Sequence, residues 1–551
     1  MTSQPDSERF SARVLTRDLD RRTLLTRAAA LGLSGPALAA VIAAAPRDAA
    51  ARPAAQEASG ALTFALIGDP TMNVFVWPNQ LPSVLVSKNV FSTLLKYSAE
   101  DGSTVVPDLA TEWSSSPDGL VWTFTLREGV TWHDGTPFTA DDVKFTLDGI
   151  MNPDVRAQFR AALNGITEVA VVDPQTVTIT TSQPIGSLPI LLAYNIAIAP
   201  KHLLEGQDLN EMTDFVQNPV GTGPYMVQEI VSGDRVVLAA NPNYYEGAPQ
   251  IGTLTYKVVP DINSVVAQLL TGELDMATVE PSNLEALNQE GNLAITTALE
   301  PNTFAIYLNN SRWPFDNPLV RKAVTMAIDR PAIVEQLLQG EAVVATSSHS
   351  PAYGEFYNPN IEPYPFDLAQ AEALMIEAGF AKQDDLWAQD GRAIEIELMV
   401  DKGNSTREQL ALVVQQFLQD FGFGVNVTVE EWSVYIERGG QLPGDYDART
   451  GWRITAPDPD KTSEYGTDGA VNHYAYSNPV ADDLLARGRT EVDPAARVAI
   501  YHELQQVLYD DCPIVWMYYP NGIIAHNAAL QGVPQIGVRD ALLYVYQMTE
   551  G

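Results

Sequence analysis

Cysteine is nearly missing from this chain: Cys512 is the only one in 551 residues. The protein therefore closes no internal disulfide, builds no cysteine-based zinc cluster and carries no CxxC redox pair. Cys512 stands between Asp511 and Pro513, far from the N-terminus, which excludes it as the lipid-bearing cysteine of a lipoprotein and leaves a small buried hydrophobe as its expected role. Histidine is scarce too, and the six, at 133, 202, 349, 473, 502 and 526, share no metal-ligand spacing. GxSxG, HExxH, SxxK with its partners and the P-loop are all missing, so the sequence offers no enzyme constellation and implies no metal or cofactor. Asp458-Pro459-Asp460-Lys461-Thr462 opens like a calcium loop, but Ser463 stands where glycine is required and Gly469 where the bidentate glutamate belongs. Basic residues are outnumbered, 33 against 69 acidic ones, and a net charge of −36 repels nucleic-acid phosphates. Finally, no stretch beyond the first sixty residues reaches the roughly 20 consecutive apolar residues that span a bilayer.

What is present begins with an address. Arg21 and Arg22 are followed by an Ala-rich apolar stretch over 28–45, broken by Gly32, Gly35 and Pro36, and by small-residue cleavage options at Ala49-Ala50-Ala51. The order resembles a twin-arginine export signal, with Thr26 where that pattern usually has lysine and Arg27 one residue later. Residues 1–59 are read as export signal and linker. The mature protein is expected to be exported, soluble, monomeric and not a lipoprotein.

Beyond residue 60, strand-like runs alternate with helical ones. Leu62–Ile67, Gln175–Thr180 and Thr253–Val259 have strand composition. Asp261–Leu270 places Ile262, Val265, Val266, Leu269 and Leu270 on one helical face behind a capping aspartate. Similar amphipathic patterns predict helices over Leu319–Leu338, Asp367–Ala378, Thr406–Phe421 and Pro494–Tyr509. The fold class is α/β, without short repeats. Asp134-Gly135 marks a hairpin turn, Thr139 to Asp142 a capped helix start, and Gly221-Thr222-Gly223-Pro224 a turn with neither P-loop lysine nor dinucleotide spacing.

One string of residues is more specific. Pro107-Asp108-Leu109-Ala110-Thr111-Glu112-Trp113 continues through Trp122-Thr123-Phe124 and Leu126-Arg127-Glu128-Gly129-Val130 to Trp132-His133-Asp134-Gly135-Thr136-Pro137. With Gly221 to Tyr225, Asn241 to Tyr245, Thr271 to Asp275 and Ala327 to Arg330, it resembles the family 5 extracellular solute-binding proteins, the peptide- and nickel-binding group of ABC importers. The resemblance implies a large two-lobed periplasmic-binding-protein fold of type II, with a ligand cleft between lobes. It maps lobe I to residues 60–89, 192–303 and 525–551, an inserted domain to 90–191 and lobe II to 304–524. It also implies permease subunits of an importer as partners, with no enzymatic step. A sensory binder handing ligand to a membrane receptor is the second reading, and a secreted hydrolase the third.

The family resemblance points to the segment around Glu431-Trp432 and Ala448 to Thr455 as cleft. In the oligopeptide binders, the positions of Trp432 and Trp452 border the ligand and that of Arg449 can face a ligand carboxylate. Three residues after the second Trp those proteins carry an aspartate that pairs with the peptide ammonium, and here Thr455 stands instead. A neutral hydroxyl cannot replace that ion pair, so Asp458 or Asp460 would have to substitute if the solute is a peptide. Two Trp platforms also suit a sugar ring, and Arg449 with Arg453 favours an anionic or opine-like solute. The expected ligand-binding residues are Trp432, Arg449, Trp452, Arg453, Thr455 and Asp458.

Overall fold

The computed structural model describes residues 59–76, 81–194, 196–289, 291–453 and 458–551. Arg21, Arg22 and Thr455, and with them the export-signal reading, lie outside the described residues.

The chain enters through strand β1 (Ser59–Leu66) and helix α1 (Leu81–Val90). A four-stranded antiparallel sheet follows: β2 (Ala110–Ser115), β3 (Val121–Leu126), β4 (Ile166–Asp173) and β5 (Thr176–Thr181), with helix α2 (Ala140–Met151) between its second and third strands. β3 and β5 alternate buried and less buried residues, as strands with one core-facing side should. The Asp134-Gly135 turn forms as predicted: Gly135 takes φ +88°, and the Trp132 amide donates to the Thr136 carbonyl at 2.8 Å. The Asp142 carboxylate then accepts the Thr139 amide at 3.0 Å, holding the start of α2.

Strands β6 (Tyr225–Val231), β7 (Arg235–Ala240) and β8 (Ile251–Val258) lead to α3 (Ile262–Thr271), β9 (Met276–Thr278) and β10 (Leu293–Leu299). Asp261 caps α3, accepting the Ser264 amide at 2.8 Å. The chain then runs through β11 (Thr303–Leu308), α4 (Pro318–Ala327), β12 (Ala342–Val344), β13 (Glu395–Asp401), α5 (Ser405–Phe421), β14 (Gly424–Glu430), α6 (Trp432–Gly439), β15 (Ala448–Arg453) and α7 (Pro494–Asp511). It closes with β16 (Ile514–Asn527) and the short helix α8 (Val538–Ala541). The helix predicted over Leu319–Leu338 is interrupted: α4 ends at Ala327, and a new turn starts where the Asp329 side chain accepts the Ala332 amide. Pro331, at the first turn of that piece, has no N–H to continue α4's ladder.

One twelve-stranded sheet runs in the order β14-β13-β15-β11-β16-β9-β1-β8-β7-β6, with β10 and β12 also on β16. Its two ends belong to different cores. Apolar side chains from β1, α1, the inserted sheet, β6 to β8 and the C-terminal residues pack together, and α3, β9 and β16 from Ile523 on extend that half. Phe304 to Tyr519 supply the other half. The architecture is mixed α/β, with two cores sharing one sheet. The chain crosses between the halves at Glu300–Asn302 and returns along β16 near Pro520.

The Gly221 to Pro224 turn is scaffold. The Gly223 amide donates to the Val90 carbonyl at 2.9 Å, and a Cβ on Gly221 would run into that same carbonyl. Gly221→Ala is therefore expected to destabilise the protein by about 2–4 kcal/mol, read as a lower denaturation midpoint in urea.

Candidate functional site

β15 lies between β13 and β11, and its register sets the orientation of the predicted residues. Tyr307 pairs with Arg449, Ala305 with Gly451 and Phe304 with Trp452. Alternation places Arg449 and Gly451 on one face of the strand and Trp452 on the other. On its face Trp452 lies opposite Phe304, which stacks on Tyr518 at 5.0 Å, and the Arg407 guanidinium covers the Trp452 ring at 4.0 Å. Arg407 is held there by the buried Asp401 carboxylate. Trp452 is thus packed against the second core rather than being an unencumbered stacking surface.

Arg449 occupies the opposite face and is buried. Its guanidinium lies 5.2, 5.4 and 5.1 Å from the ring centres of Tyr307, Tyr435 and Tyr446. Among the described residues no carboxylate pairs with it, and its Nε has no hydrogen-bond partner. Gly439 and Gly451 make the space: a Cβ on Gly439 would meet Arg449 Nη1, and one on Gly451 would meet the Tyr307 ring. Trp432 stands half-exposed on the rim at the start of α6, 6.0 Å from Trp452 and 5.9 Å from Tyr435. Trp432, Arg449 and Trp452 line one cavity of about 190 Å³ together with Tyr307, Tyr435 and His473.

The other predicted residues lie apart from this cavity or are undescribed. Arg453 ends β15, and its side chain lies outside the described residues. Asp458 is buried and accepts two bonds from Arg497 Nη2, at 2.9 and 2.8 Å. That pair, together with the bond between His349 Nε2 and the Pro459 carbonyl at 2.8 Å, fixes the chain just after 454–457. Burial pushes the His349 imidazole down to about 3, so it serves as a neutral strut. Asp460 caps the next turn by accepting the Thr462 amide.

A second cavity, about 600 Å³, opens where the sheet passes between cores. Leu81, Tyr194, Arg539 and Asp540 line it from the first core, Pro351 and Ala352 from the second, and Glu300 and Gly522 from the two crossings. Arg539 lies over Tyr194 at 5.1 Å, and burial lowers its guanidinium pKa. Asp540 is occupied by Lys88. Glu300 Oε1 accepts the Val538 amide at 2.8 Å, yet no cation pairs with its carboxyl among the described residues. Burial, reinforced by Asp540, pushes that carboxyl up to about 7. Composition and spacing gave no hint of Glu300 or of the tyrosines around Arg449, because a lone acid between strands and scattered tyrosines carry no periodic signal.

Two stability measurements follow. Asp458→Ala leaves the buried Arg497 guanidinium unpaired and is expected to cost about 3–5 kcal/mol in denaturant titration, far beyond the effect of removing a surface acid. Glu300 is raised in the folded state, so the native protein keeps a proton the unfolded chain has released, and stability falls as pH rises from about 4.5 through 7. Glu300→Gln is expected to gain about 1–3 kcal/mol at pH 8 and nothing at pH 4, measured by paired thermal melts.

Comparison with known proteins agrees with this architecture. Residues 104–473 match the family model for bacterial extracellular solute-binding proteins, family 5 middle region. The chain is 29% identical to the oligopeptide-binding protein AppA of Bacillus subtilis over 490 residues, covering 87% of this chain and 90% of that protein. It is 30% identical to the glutathione-binding protein GsiB of Salmonella typhi over 469 residues, 82% of this chain and 88% of GsiB. The solved structure of B. subtilis AppA with a nonapeptide superposes with a TM-score of 0.72, at 28% identity, over 89% of this chain and 99% of that one. NikZ of Campylobacter jejuni with Ni(L-His) gives 0.74 at 26% identity over the same shares. No helix among the described residues is long and apolar enough to cross a membrane. The chain belongs to the bacterial extracellular solute-binding proteins, family 5.

Proposed function

We propose that this protein captures a small solute carrying an anionic group between its two lobes and delivers it to the permease of an ABC importer, with no chemical step. The observation that carries the reading is Arg449, a buried guanidinium between three tyrosine rings with no carboxylate partner among the described residues. A buried cation without a counterion is costly, and a solute carboxylate or other oxyanion that satisfies it gains charge-assisted hydrogen bonds. Trp432 and Trp452 border the same cavity and supply apolar contact beside the anion. Relatives named for oligopeptide and glutathione binding support a peptide-like solute over a sugar-like or opine-like one. Arg453, Thr455 and Asp458 remain in the reading with different weights: Asp458 is already committed to Arg497, so it is a poor substitute for the ammonium acceptor that Thr455 replaces.

The same reading divides the chain into lobe I (60–89, 192–303 and 525–551), an inserted domain (90–191) and lobe II (304–524). Supporting this, the cores change hands between Ile295, packed with the first, and Leu299, packed with the second, and again between Tyr519 and Ile523. An export signal at residues 1–59, with Arg21 and Arg22 as its pair, fits delivery outside the cytoplasm.

Mass spectrometry of the solute released by denaturing the purified protein tests the reading directly, and a neutral solute without an oxyanion would overturn it. Arg449→Met is expected to weaken binding of that solute by about 10- to 100-fold in calorimetry. Trp432→Ala is expected to weaken it less, because the ring is half-exposed.

A further inference from the structure

We infer that Glu300 is the acceptor for a cationic amine on the solute. The inference rests on the reading of Arg449 as the anion site and adds the opposite end of the ligand. The solute class it names is a zwitterion with an amine at one end and a carboxylate at the other.

Three observations converge on Glu300. First, it lines the larger cavity and is the one carboxylate there placed on a crossing between the lobes. Oε1 takes the Val538 amide, and Oε2 has no hydrogen-bond partner among the described residues. Secondly, the surroundings keep this carboxyl in place while leaving its charge unanswered. Gly522 on the return crossing and Gly537 before α8 have no side chains, and a Cβ at Gly537 would stand 3.1 Å from Oε2. The charged groups facing it are Asp540, engaged with Lys88 of α1, and Arg539, which lies over Tyr194 and makes no ion pair with it; Asp101 lines the same cavity. The Ser350 hydroxyl donates to the Glu300 carbonyl at 2.8 Å and so fixes its backbone from lobe II. Thirdly, Glu300 lies on the segment that leads into β11, the strand paired with the one that carries Arg449. The β11–β15 pairing runs from Tyr307 opposite Arg449 to Thr303 opposite Arg453. Glu300 stands three residues before Thr303.

Glu300 and Tyr307 are seven residues apart in sequence, so the acceptor and the Arg449 site lie no more than about 24 Å apart along the strand direction. An extended peptide of about seven residues or fewer covers that span. An ammonium beside Glu300 replaces a desolvated, half-protonated acid with an ion pair, which favours the ionised carboxylate. Amine binding is therefore coupled to pH: affinity drops as Glu300 takes up its proton, with the midpoint for the uncomplexed protein at about 7.

The test is equilibrium dialysis of the mature protein against a random hexapeptide library in three forms, with both ends free, N-acetylated or C-amidated, quantified by mass spectrometry. The expected result is at least tenfold lower retention of the N-acetylated library by wild type, and loss of that discrimination in Glu300→Gln. Retention of the free-ended library by wild type is expected to fall roughly tenfold between pH 7 and pH 5.5, an arm that needs no substitution, and to stay flat in Glu300→Gln. Equal retention of acetylated and free-ended peptides by wild type, discrimination that survives in a folded Glu300→Gln, or retention of no peptide at all would each overturn the inference. C-amidation with Arg449→Met reports on the anion site alone, so loss of that effect while the N-acetylation effect persists overturns the Arg449 reading and leaves the Glu300 result standing.

Discussion

A single strand belongs to both halves of this molecule. β16 pairs with β11 and β12 through its first residues and with β9 and β10 through its last ones. Its backbone groups are buried for most of their length and must be satisfied by neighbours on either side, so the two sheets cannot part without breaking ladder bonds. The place where partners change is marked chemically: Pro520 has no amide to donate, and its carbonyl instead accepts the Glu300 amide at 3.0 Å from the other crossing. That bond ties the two crossings together, and the larger cavity opens beside it, where Gly522 leaves room for the Glu300 carboxyl.

Buried charges in this protein fall into two kinds. Arg497 with Asp458, and Lys88 with Asp540, are closed pairs whose partners come from distant parts of the chain. Such pairs hold loops and termini, and removing either member leaves an isolated charge in the interior. Arg449 and Glu300 are of the other kind: each is desolvated and held by its surroundings, neither has a counterion among the described residues, and each lines a cavity. Desolvation without a partner is unfavourable for folding and is retained where a ligand supplies what is missing.

The alternation of strands and helices, and the helix spans around Asp261 and Thr406, were legible because apolar periodicity and capping residues report local structure. Leu319–Leu338 misled for a local reason: the periodic pattern continues through Ile328 and Ile333, but Asp329 and Pro331 restart the helix between them. Trp432, Arg449 and Trp452 were found through family resemblance, and the structure gathers them around one cavity. Their roles within it were not legible. That Trp452 is covered by Arg407 while Arg449 faces three tyrosines depends on strand register and on the position of α5, which no spacing within 448–453 encodes. Asp458 looked available from its neighbours in sequence, yet its partner is Arg497 on α7, some forty residues away.

Placing the two unanswered charges at different depths of the structure has a consequence for how a solute drives closure. On the proposed reading Arg449 belongs wholly to lobe II, so a solute that meets it alone would gain the same energy whether the lobes are apart or together. Glu300 sits on the crossing, bonded to Val538 of the first core through its side chain and to Ser350 of the second through its carbonyl. A solute can shift the lobes toward closure only by the difference in its interaction with the two arrangements. Contact with lobe II by itself supplies none of that difference, whereas contact that reaches the crossing and the first-core wall at Leu81, Tyr194 and Arg539 does. On the proposed reading, discrimination among solutes rests on the crossing end of the cleft, and the half that holds Arg449 is the landing site.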